Sequence, residues 1–317
     1  QRIVFTEGDN YRILKAAEIL ISNGVAKPIL LGSKEKMEAI IEEYQLELQE
    51  AEFIDIMADR DGRERYATQM YEFRKRRGWT MGECRSKIKS REYYGNMMLR
   101  DGGADALISG LTVKYPTALR PILRIIGMEE GMRKAAGMYI LLSKRGPMFF
   151  ADTTINLDPT VEDLVQMVLN VADTVKRTNI VPKVALLSYS NFGSSNGPDA
   201  HKMAKASAIL RKEHPDLIVD GEMQANFALE PELLQESFPF SDLVGHRANV
   251  FIFPNLAAGN ITYKMLQSFG AAEAIGPMLI GTKHSAHVLQ LGASVREIVN
   301  MATLAAVDAR NRKVKKA

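Results

Sequence analysis

The sequence predicts an α/β fold of two domains, and three observations carry that prediction. Short apolar runs alternate with amphipathic segments along nearly the whole chain. Residues 1–56 spell βαβαβ, the signature of a doubly wound sheet. The length of 317 residues fits about two domains at ~100–200 residues each. In order, residues 3–5 are a strand and 6–10 its turn. Ile13, Leu14, Ala17, Leu20 and Ile21 share one helical face, and Gly24 stops that helix. Residues 28–32 form a second strand and turn, 34–44 a helix and 53–56 a third strand. Residues 63–126 are mainly helical, broken by the strand-like 106–109, and Thr80 with Glu83 fits a capping box. Residues 138–143 and 148–151 flank a turn at 144–147 as a hairpin. Asp158 and Pro159 offer an N-cap and a first-turn proline for a helix to Arg177. Strand 184–188, helix 198–213, strands 217–220 and 250–253, helix 258–269 and strand 278–280 follow. Ser294 with Glu297 opens the last helix, to Arg310. The expected organisation is one discontinuous domain, 1–136 plus 282–317, with the last helix packing back on it, and a second domain, 137–281.

Composition narrows the class. Hydrophobic residues are 46% and charged residues 25% of the chain, which excludes disordered and fibrous types. A chain this long buries a core without staples. One cysteine, Cys84, excludes an internal disulfide framework, Cys-rich zinc modules and iron–sulfur clusters. It points to a reducing, cytoplasmic setting. No apolar run nears the ~18 residues of a membrane span, and no signal-peptide pattern is present. A net charge of +3 is too small to imply nucleic acid. The start at Gln1 rather than Met suggests a piece of a longer chain.

Several features could carry chemistry. The loop 191–198, Asn-Phe-Gly-Ser-Ser-Asn-Gly-Pro, joins a strand to a helix and could offer backbone N–H groups to a phosphate. It matches neither the Walker pattern nor GxGxxG. Of Arg74, Lys75, Arg76 and Arg77, most should be a solvated helix end, with one arginine turned inward for a phosphate. Arg120 sits in a partly apolar helix and should have a fixed partner. His284 and His287 read as loop histidines without a metal. No GxSxG elbow surrounds Ser188, Ser190, Ser194 or Ser195. Asp220-Gly221-Glu222 reads as a turn with an N-cap, or as acidic chemistry.

Together these motifs form an ordered set. Glu7-Gly8, the Arg74 helix end, 105–110, 117–121, 187–190 with Gly193-Ser194, 220–222, Phe253-Pro254, Gly259-Asn260, Tyr263-Lys264 and Gly276-Pro277 resemble phosphate acetyltransferases over essentially the whole chain. The resemblance implies a phosphotransacetylase-like, three-layer αβα fold. It also implies a cleft shared by the two domains, binding coenzyme A and acetyl phosphate, and dimerisation. Arg74 and Arg120 match arginines that hold substrate phosphates, and Ser188 and Ser190 match the phosphate-loop serines. Other positions depart. Where the enzymes carry Asp-Leu-Ser-Arg-Gly, residues 288–292 read Val-Leu-Gln-Leu-Gly, so Gln290 replaces the serine and Leu291 the arginine. Asn191 replaces a threonine, Asn226 and Asn255 replace aspartates, and Glu297 stands at the proposed base. Leucine neither donates a hydrogen bond nor holds charge, and one lost oxyanion donor costs ~10²–10³ in rate. Glu297 is also explained by its capping box.

The altered pattern resembles something narrower. Val4-Phe5 with Glu7-Gly8, Lys75-Arg-Arg-Gly78, 190–195, His287-Val-Leu and 294–301 are similar to the C-terminal phosphotransacetylase-like domain of bacterial NADP-dependent malic enzymes. That resemblance implies an acetyl-CoA-responsive regulatory and oligomerising domain. NADP and a divalent metal would belong to the N-terminal malic enzyme domain, outside this chain. Acetyl-CoA or CoA would use Arg74, Arg120, Ser188, Ser190, Asn191, Gly193, Ser194, Lys283, Gln290 and Arg296, without catalysis. A homodimer within a larger oligomer is expected, with no nucleic acid or membrane partner. The alternatives are an active phosphate acetyltransferase and a purely structural dimerisation domain.

Overall fold

The structure, a computed structural model, describes residues 1–270 and 273–316. The elements run β1 (Arg2–Phe5), α1 (Tyr11–Ser22), β2 (Lys27–Leu31), α2 (Lys34–Tyr44), β3 (Glu52–Ile54), α3 (Arg60–Arg74), α4 (Met81–Lys87), α5 (Arg91–Arg100), β4 (Ala106–Ser109) and α6 (Tyr115–Pro121). Then come β5 (Ala136–Ser143), β6 (Gly146–Ala151), α7 (Val161–Lys176), β7 (Lys183–Leu187), α8 (Pro198–Glu213), β8 (Ile218–Met223), α9 (Ala225–Leu229), α10 (Pro231–Ser237), β9 (Val250–Ile252), α11 (Leu256–Ser268) and β10 (Glu273–Ile280). The chain closes with β11 (Ser285–Val288) and α12 (Val295–Lys316).

Two compact units result: residues 1–130 with 282–317, and residues 131–281. The first holds a five-stranded parallel sheet in the order β11-β4-β1-β2-β3. Its central strands are apolar in their buried stretches, as strands covered on both faces must be, with Arg2, Lys27 and Ser109 at their ends. Ile3, Val4 and Phe5 are wholly buried beside Leu30, Leu31, Ala106 and Leu107. Helix α12 packs on β1, β4, β11 and α1, while α5 packs on β1 and β4. The second unit holds a mixed sheet, β10-β5-β6-β9-β7-β8. The β10-β5-β6 pairs are antiparallel and the β6-β9-β7-β8 pairs parallel. Its core includes Phe150, Phe251, Phe253 and a stacked pair of rings, Tyr139 and Tyr263, 4.1 Å apart.

Local chemistry sets the boundaries. The capping boxes at Thr80–Glu83 and Ser294–Glu297 form as read. The cap of α7 does not. Thr160, not Asp158, holds that end: its hydroxyl accepts the Asp163 N–H, and the Asp163 carboxylate accepts the Thr160 N–H. Asp158 instead pairs with Lys202 at 2.6 Å. Asp220-Gly221-Glu222 is no turn but the middle of β8. Gly221 is needed there because its φ is +139° and a Cβ would lie 2.5 Å from the Leu186 carbonyl oxygen. Residues 285–288 are a strand, so His287 is buried in the first sheet rather than in a loop. Where the chain leaves and re-enters the first unit, Met128 bridges Thr282, and the Lys283 N–H bonds the Gly127 carbonyl. Arg312 of α12 reaches both segments, donating to Glu129 at 2.5 Å and to the Thr282 carbonyl at 2.8 Å.

Candidate functional site

Parallel sheets place function at the C-terminal ends of their strands. In the first unit that end is organised by Glu7, which follows β1 and is 5% exposed. Its Oε2 accepts the N–H groups of Gly110 (3.0 Å) and Leu111 (2.9 Å). Its Oε1 accepts the N–H and hydroxyl of Thr112, both at 2.7 Å. An internal carboxylate thus fills the row of amides after β4, where an external anion could otherwise sit. Nearby Asp9 takes a bidentate bond from Arg91 at 2.5 and 2.7 Å. Burial works against its charge, but Arg91 outweighs burial and holds the carboxyl below its ordinary range.

The basic helix end divides as its sequence suggests. Lys75, Arg76 and Arg77 are exposed, whereas Arg74 is 7% exposed. The Arg74 Nε has no hydrogen-bond partner. Its guanidinium lies 5.2 Å from the centre of the Trp79 ring, which Lys87 (5.2 Å) and Arg124 (5.8 Å) also approach. Arg124 bonds the Tyr93 hydroxyl at 3.2 Å. Burial, reinforced by the like charges of Arg77 and Arg124, pushes the Arg74 pKa down from its ordinary value. Among the described residues no carboxylate pairs with Arg74. A buried cation in this setting is costly unless an anion joins it. Trp79, Lys87 and Arg124 escaped sequence reasoning; the signal available was the chain's single tryptophan directly after Arg77-Gly78.

The other arginine and lysine positions fare differently. Arg120, in the last turn of α6, is exposed, and no ion pair or hydrogen bond of its side chain is found among the described residues, so the fixed partner expected for it is missing. Gln290 and Arg296 flank the turn between β11 and α12, and Leu291 between them is 69% exposed. Lys283 does not join them. It precedes β11, whereas Gln290 follows it, and four strand residues at about 3.3 Å each lie between. Glu297 acts as a cap: its Oε2 accepts the Ser294 N–H at 2.7 Å and the Ser294 hydroxyl at 2.8 Å.

In the second unit the loop after β7 gathers Ser188, Ser190, Asn191, Gly193 and Ser194 around Glu222. Ser190 and Glu222 are both buried. The Glu222 Oε1 accepts the Ser190 hydroxyl at 2.9 Å and the Gly193 N–H at 2.7 Å. Gly193 reaches this position with φ +88°. Ser190 Oγ in turn accepts the Ser195 N–H at 3.1 Å, and Ser188 Oγ accepts the Ser190 N–H at 3.2 Å. Asn191 Oδ1 accepts the Gln224 N–H at 2.8 Å, and Ser194 Oγ accepts the Asn191 N–H at 2.9 Å. The Ser190 hydroxyl and the Gly193 N–H, both named above for ligand binding, thus hold the loop closed on Glu222 in this structure. Asp220 is likewise structural, accepting from the Ser241 hydroxyl at 2.7 Å and the Asp242 N–H at 3.0 Å. Asn255 caps α11 by accepting the Ala258 N–H.

This fold is that of solved phosphotransacetylases. The EutD phosphotransacetylase of Staphylococcus aureus matches with a TM-score of 0.89 and 29% identity, covering 97% of this chain and 94% of its own. A phosphotransacetylase of Streptococcus pyogenes matches equally well at 32% identity, over 98% and 94% of the two chains. The chain belongs to the phosphate acetyl/butaryl transferase family, whose model matches residues 1–306. The NADP-dependent malic enzyme of Salmonella typhimurium is 39% identical over 313 residues, 98% of this chain but 41% of its own length. The chain thus spans about two fifths of the malic enzymes it matches. The phosphate acetyltransferase of Clostridium acetobutylicum is 34% identical over 98% of this chain and 94% of its own.

Proposed function

We propose that this chain is a cytoplasmic, acetyl-CoA-binding regulatory and oligomerising domain of an NADP-dependent malic enzyme, with phosphate acetyl transfer lost. The observation that carries binding is Arg74: a buried guanidinium whose Nε has no hydrogen-bond partner among the described residues, beside Arg124, Lys87 and the Trp79 ring. Such a cluster of cations around an indole suits a CoA phosphate, with the ring offering a face to adenine. Arg120, Ser188, Gln290 and Arg296 would complete recognition. The loss of transfer rests on two positions. Leu291 can neither hold a phosphate nor donate to it, and one oxygen of the Glu297 carboxylate, Oε2, is taken up by the helix cap. NADP and the metal would be held by the malic enzyme part outside this chain. Acetyl-CoA would regulate by binding one arrangement of the longer protein better than another; a ~100-fold preference is about 2.7 kcal/mol.

Trp79 makes the test direct. Acetyl-CoA titrated into the chain should quench the single tryptophan and give saturable heat. Arg74→Ala should weaken that binding by about 1–3 kcal/mol while the protein stays folded. Unchanged affinity removes Arg74 from the site. A second reading, an active phosphate acetyltransferase, is favoured by the near-complete overlap with the Clostridium acetobutylicum enzyme. Acetyl phosphate formation at ~1 per second or faster establishes it and ends the regulatory reading. Neither binding nor turnover leaves a structural dimerisation domain.

A further inference from the structure

A second cluster of cations lies at the N-terminal end of the first sheet. A cavity of about 280 Å³ is bounded there by the start of β1, the segment after α5, the entrance to β11 and the last turns of α12. Arg2, Arg100, Lys283, Arg312 and Lys313 line it, and Asp105 is the sole carboxylate among its lining residues. Three of the five cations are already used. Asp105 takes Lys313 at 2.8 Å and the Arg2 backbone N–H at 2.7 Å, with the Arg2 guanidinium at 3.7 Å. Arg312 is held by Asp308 and Glu129. Arg100 donates to the Ile125 carbonyl and lies over the Phe73 ring, with no carboxylate partner among the described residues. Lys283 is exposed and has no ion pair among them.

Five cations therefore meet three carboxylates. The C-terminal end of α5 supplies roughly half a negative charge, which offsets part of the two cations left over. More than one positive charge remains in a concave site lined by N–H donors.

We infer that this cavity binds a small phosphate-bearing anion. Lys283 and Arg100 would supply the uncompensated charge, Arg100 with a planar fork. The size sets the class. Drug-sized ligands occupy roughly 300–1,000 Å³, so the cavity suits inorganic phosphate or a phosphomonoester on a short carbon chain, not a nucleotide or coenzyme A. Lys283 and Arg312 also border the segment where the chain re-enters the first unit at Thr282. An anion bound here would stiffen that segment.

The test uses the 317-residue chain with inorganic phosphate and glycerol phosphate as probes, read by calorimetry and by the rise in melting temperature. Arg100 lies within electrostatic reach of Arg74, so the discriminating variant is Lys283→Glu, with Lys283→Gln as the milder partner. Saturable binding is expected, weakened about tenfold or more in Lys283→Glu and less in Lys283→Gln, and unchanged in Arg74→Ala. Tighter glycerol phosphate identifies a phosphomonoester as the ligand; equal affinity identifies phosphate itself. No saturation below about 50 mM, or loss of binding in Arg74→Ala rather than in Lys283→Glu, overturns the assignment. Acetyl-CoA titrations of the same variants keep the two sites apart, because failure of one leaves the other's readout intact.

Discussion

His287 lies wholly inside the first unit, with Asp308 and Arg312 of α12 acting on it electrostatically and the Ser285 hydroxyl 3.0 Å from its Nε2. Burial lowers its pKa from 6.5 to about 4, Asp308 raising it and Arg312 lowering it in smaller measure. The folded pKa lies below the unfolded one, so the unfolded chain takes up the proton first. The associated stability is complete above about pH 6.5 and is lost as pH falls toward 4, a loss of about 3 kcal/mol at most. Urea unfolding at pH 7.5, 6 and 5 should show midpoints falling through this window. His287→Asn should flatten the dependence; an equally steep profile in that variant assigns the window to another group. Cys84 behaves as its neighbours dictate. It is buried in α4, and burial pushes its thiol pKa up, away from the reactive thiolate.

Two strand-end loops, one in each unit, are closed by an internal glutamate. Glu7 takes four donors from residues 110–112, and Glu222 takes two from residues 190–193. Removing the Glu7 carboxylate leaves three backbone N–H groups without an acceptor, two of them in buried bonds. At about 1–3 kcal/mol for each such group, Glu7→Ala should lose at least about 2 kcal/mol. Glu7→Gln should recover only part, because one amide oxygen cannot replace two. Equilibrium urea unfolding measures both, and an unaltered midpoint in Glu7→Ala refutes the anchoring role. These loops also show why sequence reading succeeded and where it stopped. Helices α2 and α8 were legible to the residue because Ser33 and Pro198 mark their starts. Strand β8 was cut short because a glycine between two acids reads as a turn, and β11 was missed because Ser-Ala-His-Val is short and half polar. That one arginine of the basic run turns inward was legible in the sequence, and the resemblance pointed to Arg74. The convergence of Lys87, Trp79 and Arg124 on it was not, since those residues meet only through the packing of separate elements.

At the scale of the whole molecule, one surface is unfinished. Ile261 and Met265 of α11 and Phe269 just after it recur every four residues and are 58%, 50% and 74% exposed, while Gly259 and Tyr263 face the core. On the proposed oligomeric role, this apolar stripe is the face expected to meet a second copy of the chain. Burying such side chains is worth about 1.5–3 kcal/mol each. Sedimentation should therefore find a dimer at micromolar concentration, and Met265→Asp with Phe269→Asp should yield a folded monomer. A wild-type monomer, or a dimer indifferent to both charges, rules this face out. The grip of Arg312 on Glu129 and Thr282 has a consequence of its own. It ties the chain's tail to both passages between the units, one of them 183 positions upstream. A cut in α12 ahead of Arg312 would leave the strands of the first sheet in the chain and still release Glu129 and Thr282, two segments of the first unit far apart in sequence that one side chain holds.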